Sequence, residues 1–145
     1  MRTTEVLLVD DNPADTDLTS EVLSRNAHPS HIHSVTNGVE AIAFLLHEGK
    51  YANALIPDFV LLDLNLPRKD GRAVLSDVKS DPFLRRIPIS IFSTSEARQD
   101  IVRSYELGAN CYVSKPGNLQ DFISAVTSIG EFWFGVARLP QVEDR

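Results

Sequence analysis

The chain carries a single cysteine, Cys111, among its 145 residues. One thiol can build neither a disulfide framework nor a cysteine-rich zinc site, which fits a reducing compartment. Long apolar runs are also missing. The first run, Val6 to Val9, is too short for a signal peptide or a membrane span, and Asp10-Asp11 follows it at once. The expectation is therefore a cytoplasmic protein with no membrane partner. A basic surplus is absent as well. Fourteen Lys and Arg stand against twenty Asp and Glu, for a formal net charge of −6. That leaves no electrostatic footprint for nucleic acid. No internal repeat, low-complexity tract or Pro/Gly/Ser linker interrupts the chain, and its length is that of one common domain.

What is present alternates. Val6-Leu7-Leu8-Val9 is a continuous apolar run, as a parallel strand covered on both faces would show. Asn12-Pro13 then opens a helix whose buried face is marked by Leu18, Val22 and Leu23, with Asp15 near the positive end of its dipole. Ile32 to Val35 is a weaker second strand. Gly38 to Glu48 reads as a helix with Val39, Ile42, Ala43 and Leu46 inward. Phe59 to Leu62 is the strongest strand. A loop over 64–70 leads into a helix from Gly71 to Ser80, with Val74, Leu75 and Val78 inward. Ile87 to Phe92 gives a fourth strand with Pro88 tolerated at its start. Thr94 or Ser95 can cap a helix over Glu96 to Leu107, closed by Gly108. Cys111-Tyr112-Val113 is a fifth strand, and a last helix begins near Asn118-Leu119 with Leu119, Phe122, Ile123 and Val126 inward. Five β-α alternations predict an α/β fold: a five-stranded parallel sheet, doubly wound, with helices on both faces.

In such open sheets ligands lie outside the carboxyl ends of the strands. There the sequence sets Asp10-Asp11 after the first strand, Asp63 after the third, Ser93-Thr94 after the fourth, and Ser114-Lys115 after the fifth. Three clustered carboxylates raise one another's pKa unless a cation neutralises them. Hard oxygen ligands at a mouth open to water suit Mg²⁺, with Mn²⁺ as its substitute. A carboxylate can act as nucleophile and form an acyl phosphate. A lysine can meet first the carboxylate and then phosphoryl oxygens, and Ser93 can donate its hydroxyl to one of them. Taken singly, each residue has a blander role: a turn, a helix cap, a polar strand end, a solvated lysine. Their joint occurrence at four strand ends favours chemistry.

Other functions fit less well. Aspartyl-nucleophile phosphatases place a second Asp two residues after the nucleophile, where this chain has Asn65, and little sequence remains for a substrate-closing cap. A flavodoxin-type binding module needs a phosphate-cradling loop after the first strand, and Asp10-Asp11 there would repel phosphate. An inert scaffold acting only through protein contacts would usually have lost an acidic residue or the lysine.

Val-Asp-Asp-Asn-Pro at 9–13, Leu-Leu-Asp-Leu-Asn-Leu-Pro at 61–67, Asp-Gly at 70–71, Ser-Thr-Ser at 93–95 and Lys-Pro at 115–116 resemble the receiver domain of two-component response regulators. The resemblance covers roughly residues 5 to 130 and implies the flavodoxin-like receiver fold. It implies that Asp63 is the phosphoacceptor, and that Asp11, Asp63 and the backbone carbonyl of Asn65 bind the metal with Asp10 in the outer sphere. It makes Lys115 the phosphate-binding lysine and Ser93 the switch hydroxyl, a position more often Thr. Tyr112 would be the aromatic that turns inward when that hydroxyl engages phosphate, altering the face of the fourth helix, fifth strand and fifth helix. Pro116 would follow a cis bond. Asn65 and Ser95 would tune the acyl-phosphate lifetime. The donor would be a sensor histidine kinase, and the protein a phosphoacceptor rather than an enzyme. The alternative is a phosphorylation-independent pseudo-receiver.

Residues 1–130 would form the receiver domain, leaving 131–145 as a C-terminal extension with a disordered end. Phe132-Trp133-Phe134 crowds aromatics onto more than one helix face, which predicts a homodimer contact, since Trp and Phe are common interface anchors. Folding back onto its own domain is the competing role. Leu-Asn-Leu-Pro-Arg-Lys-Asp-Gly at 64–71, Ser-Tyr at 104–105, Ala-Asn-Cys-Tyr at 109–112 and Phe-Trp with Leu-Pro across 132–140 resemble single-domain regulators paired with bacterial phytochrome kinases.

Overall fold

The structure is a computed structural model and describes residues 3–141. Five strands, β1 (Thr4–Val9), β2 (Ser30–Val35), β3 (Phe59–Leu62), β4 (Ile89–Ser93) and β5 (Cys111–Ser114), form one sheet in the order β2-β1-β3-β4-β5. Every neighbouring pair is parallel. The helices between them are α1 (Pro13–Ser24), α2 (Gly38–Leu45), α3 (Gly71–Ser80), α4 (Arg98–Glu106) and α5 (Leu119–Gly130).

Alternation within the apolar runs divides the core. Leu7, Val9, Val60, Leu62, Ile89 and Ile91 face one way, with Phe44 of α2 and Val74, Leu75 and Val78 of α3. Val6, Leu8, Phe59, Leu61 and Phe92 face the other way, against Leu23 of α1 and Phe122, Val126 and Ile129 of α5. A strand buried on both faces must be apolar at every position, which is why β1 and β3 read as unbroken hydrophobic runs.

Three helix expectations need correction. In α2 the buried residues are Gly38, Ala41, Phe44 and Leu45, while Val39 and Leu46 are exposed. The segment is apolar nearly all round, so its pattern does not fix its rotation. In α5 the buried stripe is Phe122, Val126, Ile129 and Gly130, and Leu119 and Ile123 lie on the surface. Helix α4 begins at Arg98, with Ala97 at the N-cap position. Neither Thr94 nor Ser95 caps it. Ser95 Oγ instead accepts from the Ala97 amide at 3.3 Å, in a turn ahead of the helix.

The tail continues α5 as a π-helical turn, Glu131–Val136. Trp133 stacks on the fully buried Phe59 with ring centroids 5.0 Å apart, and Phe134 meets the same ring edge-on at 6.3 Å. Two of the three aromatics expected at a dimer contact therefore pack on their own domain. Phe132 is half exposed and Val136 largely so. The expected disordered end falls mostly on 142–145, outside the described residues.

Candidate active site at the carboxyl edge of the sheet

Asp10, Asp63 and Lys115 each stand one residue beyond a strand, and each backbone amide still bonds the neighbouring strand. Asp10 donates to the Val35 carbonyl at 3.1 Å, Asp63 to Val9 at 3.0 Å, and Lys115 to Ser93 at 2.7 Å. The sheet thus fixes their backbones while releasing their side chains into the crevice where the strand order reverses direction about β1. Lys115 Nζ, almost wholly buried, donates to Asp10 Oδ2 at 2.8 Å, Asp15 Oδ2 at 3.0 Å and Asp63 Oδ2 at 3.1 Å.

Local structure aims the carboxylates. Asp10 Oδ1 accepts from the Asn12 amide at 3.0 Å, and Asn12 Oδ1 accepts from the Asp15 amide at 3.1 Å. These two side-chain turns start α1 directly over the end of β1. Asp63 Oδ1 accepts from the Asn65 amide at 3.3 Å, with Asn65 exposed at the mouth. Behind Asp63 the first turn of α3 comes close. A Cβ on Gly71 would lie 2.1 Å from the Asp63 carbonyl oxygen, so only glycine fits there. Asp70 caps α3 by accepting from the Arg72 amide at 3.0 Å.

Burial pushes the Asp10 carboxyl above its ordinary pKa, helped by the charge of Asp63 and opposed by bonds from Lys115 and Asn12. Burial also disfavours the Lys115 ammonium. Its bonds to Asp10 and Asp15 and the charges of Asp63 and Asp10 outweigh that and hold its pKa above the ordinary lysine range. The two shifts are compatible, because one ammonium divided among three carboxylates secures its own charge better than it secures any of theirs. Asp10, Asp11 and Asp63 each offer an oxygen within 4.8 Å of the others, and Asp11 is exposed. With Asp15, the cluster sets four carboxylates against one ammonium that pairs with three of them, so the donor set retains negative charge and an open side. This fits a hard divalent cation that keeps some of its water.

Ser93 is fully buried, and its Oγ accepts from the Ser95 amide at 3.4 Å. Tyr112 is half-buried and donates its hydroxyl to the Ser95 carbonyl at 2.8 Å. Among the described residues every peptide bond is trans, so the cis bond expected before Pro116 is absent. Trans is the favoured isomer even before proline, and the Lys115–Ser93 backbone bond forms with it.

Two features escaped the sequence reading. Asp15, taken only as a dipole partner, is a direct lysine contact. Its signal was the short spacing from Asp10, which leaves the first turn of α1 over the strand end. The second is a chain of contacts linking the starts of α3 and α4. Arg72 donates to Asp100 at 2.7 Å, and Ser95 Oγ donates to Asp100 at 2.6 Å. The Ser95 bond and then Arg72 hold Asp100 below the usual carboxylate pKa. Nothing in the spacing of 72, 95 and 100 announces this contact.

Comparison with known proteins agrees with this geometry. The family model for the response regulator receiver domain matches residues 6–127. Response regulator Rcp1 of Synechocystis sp. is 43% identical over 135 residues, covering 93% of this chain and 92% of that protein. The phosphorylated cyanobacterial phytochrome response regulator RcpA superposes with a TM-score of 0.93 at 48% identity, over 96% of this chain and 99% of the other. The Mn²⁺-bound form of Rcp1 gives 0.92 at 42% identity, over 94% and 99%. With a family match across most of its length and the expected residues gathered at the strand ends, this chain belongs to the response regulator receiver domain family.

Proposed function

We propose that Asp63 accepts a phosphoryl group from a phosphohistidine of a sensor histidine kinase, and that the kinase is of phytochrome type. The observation that carries the reading is the meeting of Lys115 and Asp63 at 3.1 Å inside a group of carboxylates. The phytochrome assignment rests on the similarity to Rcp1 and RcpA. Asp11, Asp63 and the Asn65 carbonyl would hold Mg²⁺ or Mn²⁺, with Asp10 in the outer sphere. When bound, the ion supplies positive charge that shields the incoming phosphoryl group from the other carboxylates.

The chain's own groups do the rest. An Asp63 carboxylate oxygen attacks phosphorus as the phosphorus–nitrogen bond to the donor breaks, giving an acyl phosphate. Lys115, already charged, pairs with a phosphoryl oxygen. Ser93 rotates its hydroxyl toward another, which loosens the Ser95 turn on which the Tyr112 hydroxyl rests. The α4-β5-α5 face is thereby the output, through a population shift. No substrate is turned over, so the protein is a phosphoacceptor that assists only its own phosphorylation and dephosphorylation. The partner kinase domain and this chain would meet in the cytoplasm; among the described residues no helix is long and apolar enough to cross a membrane.

The division into a receiver at 1–130 and an extension at 131–145 belongs to the same reading, as does a homodimer. Support for the dimer lies in exposed Phe132, Val136, Leu119 and Ile123. The last three line a groove of about 640 Å³ between α1, α5 and the tail.

The test is incubation with Mg²⁺ and acetyl phosphate or phosphoramidate, followed by intact mass and sedimentation. One added phosphoryl group on wild type and none on Asp63→Asn is expected. Unlabelled wild type, or equal labelling of the variant, sinks the proposal. A monomer at every concentration, phosphorylated or not, sinks the dimer.

A further inference from the structure

At the opposite end of the sheet, the parallel register pairs Glu5 of β1 with His31 of the edge strand β2. His33 lies two residues further along β2, on the same face. From Glu5 to Asp10 is about 16 Å of extended chain, so this cluster stands apart from the carboxylates around Lys115. Glu5 Oε1 lies 3.1 Å from His31 Nδ1 and 3.2 Å from His33 Nε2, and the three donors all lie within 4.8 Å of one another.

We propose that Glu5, His31 and His33 form a second metal site, selective for a borderline transition metal such as Zn²⁺. The spacing is what such an ion needs. Tetrahedral zinc with bonds near 2.0–2.1 Å has ligand–ligand edges of about 3.3 Å, close to both oxygen–nitrogen separations in the structure. The ligand set, two imidazole nitrogens and one carboxylate oxygen, is common for zinc and poorly suited to Mg²⁺, which prefers oxygen throughout.

The surroundings hold the ligands in place. The Glu5 amide donates to Asp58 Oδ2 at 2.9 Å, and the Glu5 carbonyl accepts from the Asp58 amide at 2.7 Å. The His33 ring packs against Phe44, with centroids 5.5 Å apart, and His31 lies beside it at 4.3 Å. The His31 side chain is 60% exposed. That leaves an open coordination position, and water or an outside ligand completes the tetrahedron. A bound ion ties β2 to β1, the one strand with which β2 pairs.

The experiment is a calorimetric Zn²⁺ titration of the whole chain near neutral pH, in excess Mg²⁺ to occupy the carboxylate cluster. One Zn²⁺ per chain should bind despite the Mg²⁺. His31→Gln and His33→Gln should each weaken it roughly tenfold or more, the range seen even for losing a metal site's supporting hydrogen bond. Asp11→Asn should leave it unchanged. Imidazole NMR signals of wild type supply a readout that needs no variant. Of the four histidines, Zn²⁺ should shift those of His31 and His33. Equal Zn²⁺ affinity in wild type and both His variants, loss of binding in Asp11→Asn, or shifts confined to His28 and His47 would overturn the proposal.

Discussion

Truncating Trp133 to alanine separates the two roles open to the aromatic tail. A fully covered tryptophan buries roughly 150–250 Å², and Trp133 is mostly buried, so about 150 Å² is at stake. At about 25 cal/mol per Å² that is about 4 kcal/mol. The stack on Phe59 adds about 1 kcal/mol. Trp133→Ala should therefore cost about 5 kcal/mol of the domain's own stability, the upper end for truncating a buried tryptophan. With a urea slope of about 2 kcal/mol per molar, the midpoint should fall by about 2.5 M. Trp133 is the only tryptophan, so wild type unfolds with a single fluorescent reporter, and circular dichroism serves for both proteins. The loss should persist at concentrations where the chain is monomeric, because the partner ring belongs to the same chain. A midpoint change under about 0.3 M, or a loss that vanishes on dilution, would show that the packing on Phe59 does not stabilise the fold. Phe132→Ala is the control. Half of Phe132 is covered and its ring meets Trp133 edge-on at 5.1 Å, so a smaller loss of about 1 kcal/mol is expected, and any larger effect should appear only in sedimentation.

Two further outcomes follow from the site. The raised pKa of Asp10 means the fold retains that proton better than the unfolded chain does. The associated stability is fully present below the ordinary value of 3.8, and it is lost as pH rises through the raised folded value. At neutral pH the ionised carboxylate is therefore a standing cost. Asp10→Asn should raise the metal-free Tm while weakening Mg²⁺ binding; a lower metal-free Tm in scanning calorimetry contradicts this. Gly71→Ala should cost about 1–3 kcal/mol or more through overpacking. It should also slow labelling of Asp63 by acetyl phosphate, because the new methyl group meets the Asp63 carbonyl. Unchanged labelling kinetics would mean that the approach of α3 does not position the acceptor.

The strands were legible because burial on both faces leaves no polar position, so β1 and β3 announced themselves. The site followed from them, since the residue after each strand is held by the last ladder bond. Helix rotation was harder to read. In α2 an all-apolar run satisfies several rotations equally, and in α5 Leu119 and Ile123 lie on a surface that the core does not use. The tail left two roles open for a related reason: crowded aromatics identify a surface that must be covered without naming what covers it, and Phe59 covers much of it. The Arg72–Asp100–Ser95 contacts are tertiary, between elements whose relative position no local pattern encodes.

The reach of Lys115 across to Asp10, 105 positions away in sequence, has a consequence for how the chain assembles. The carboxylates gather as soon as β1 and β3 pair, and they carry uncompensated charge until the last strand arrives. During synthesis that strand is also the last to emerge. Docking of β5 is thus drawn by the repulsion it relieves, and a half-made or truncated chain lacks the lysine proposed to pair with the phosphoryl group. Under the proposed function, competence to receive a signal and completion of the fold are linked through one ammonium group.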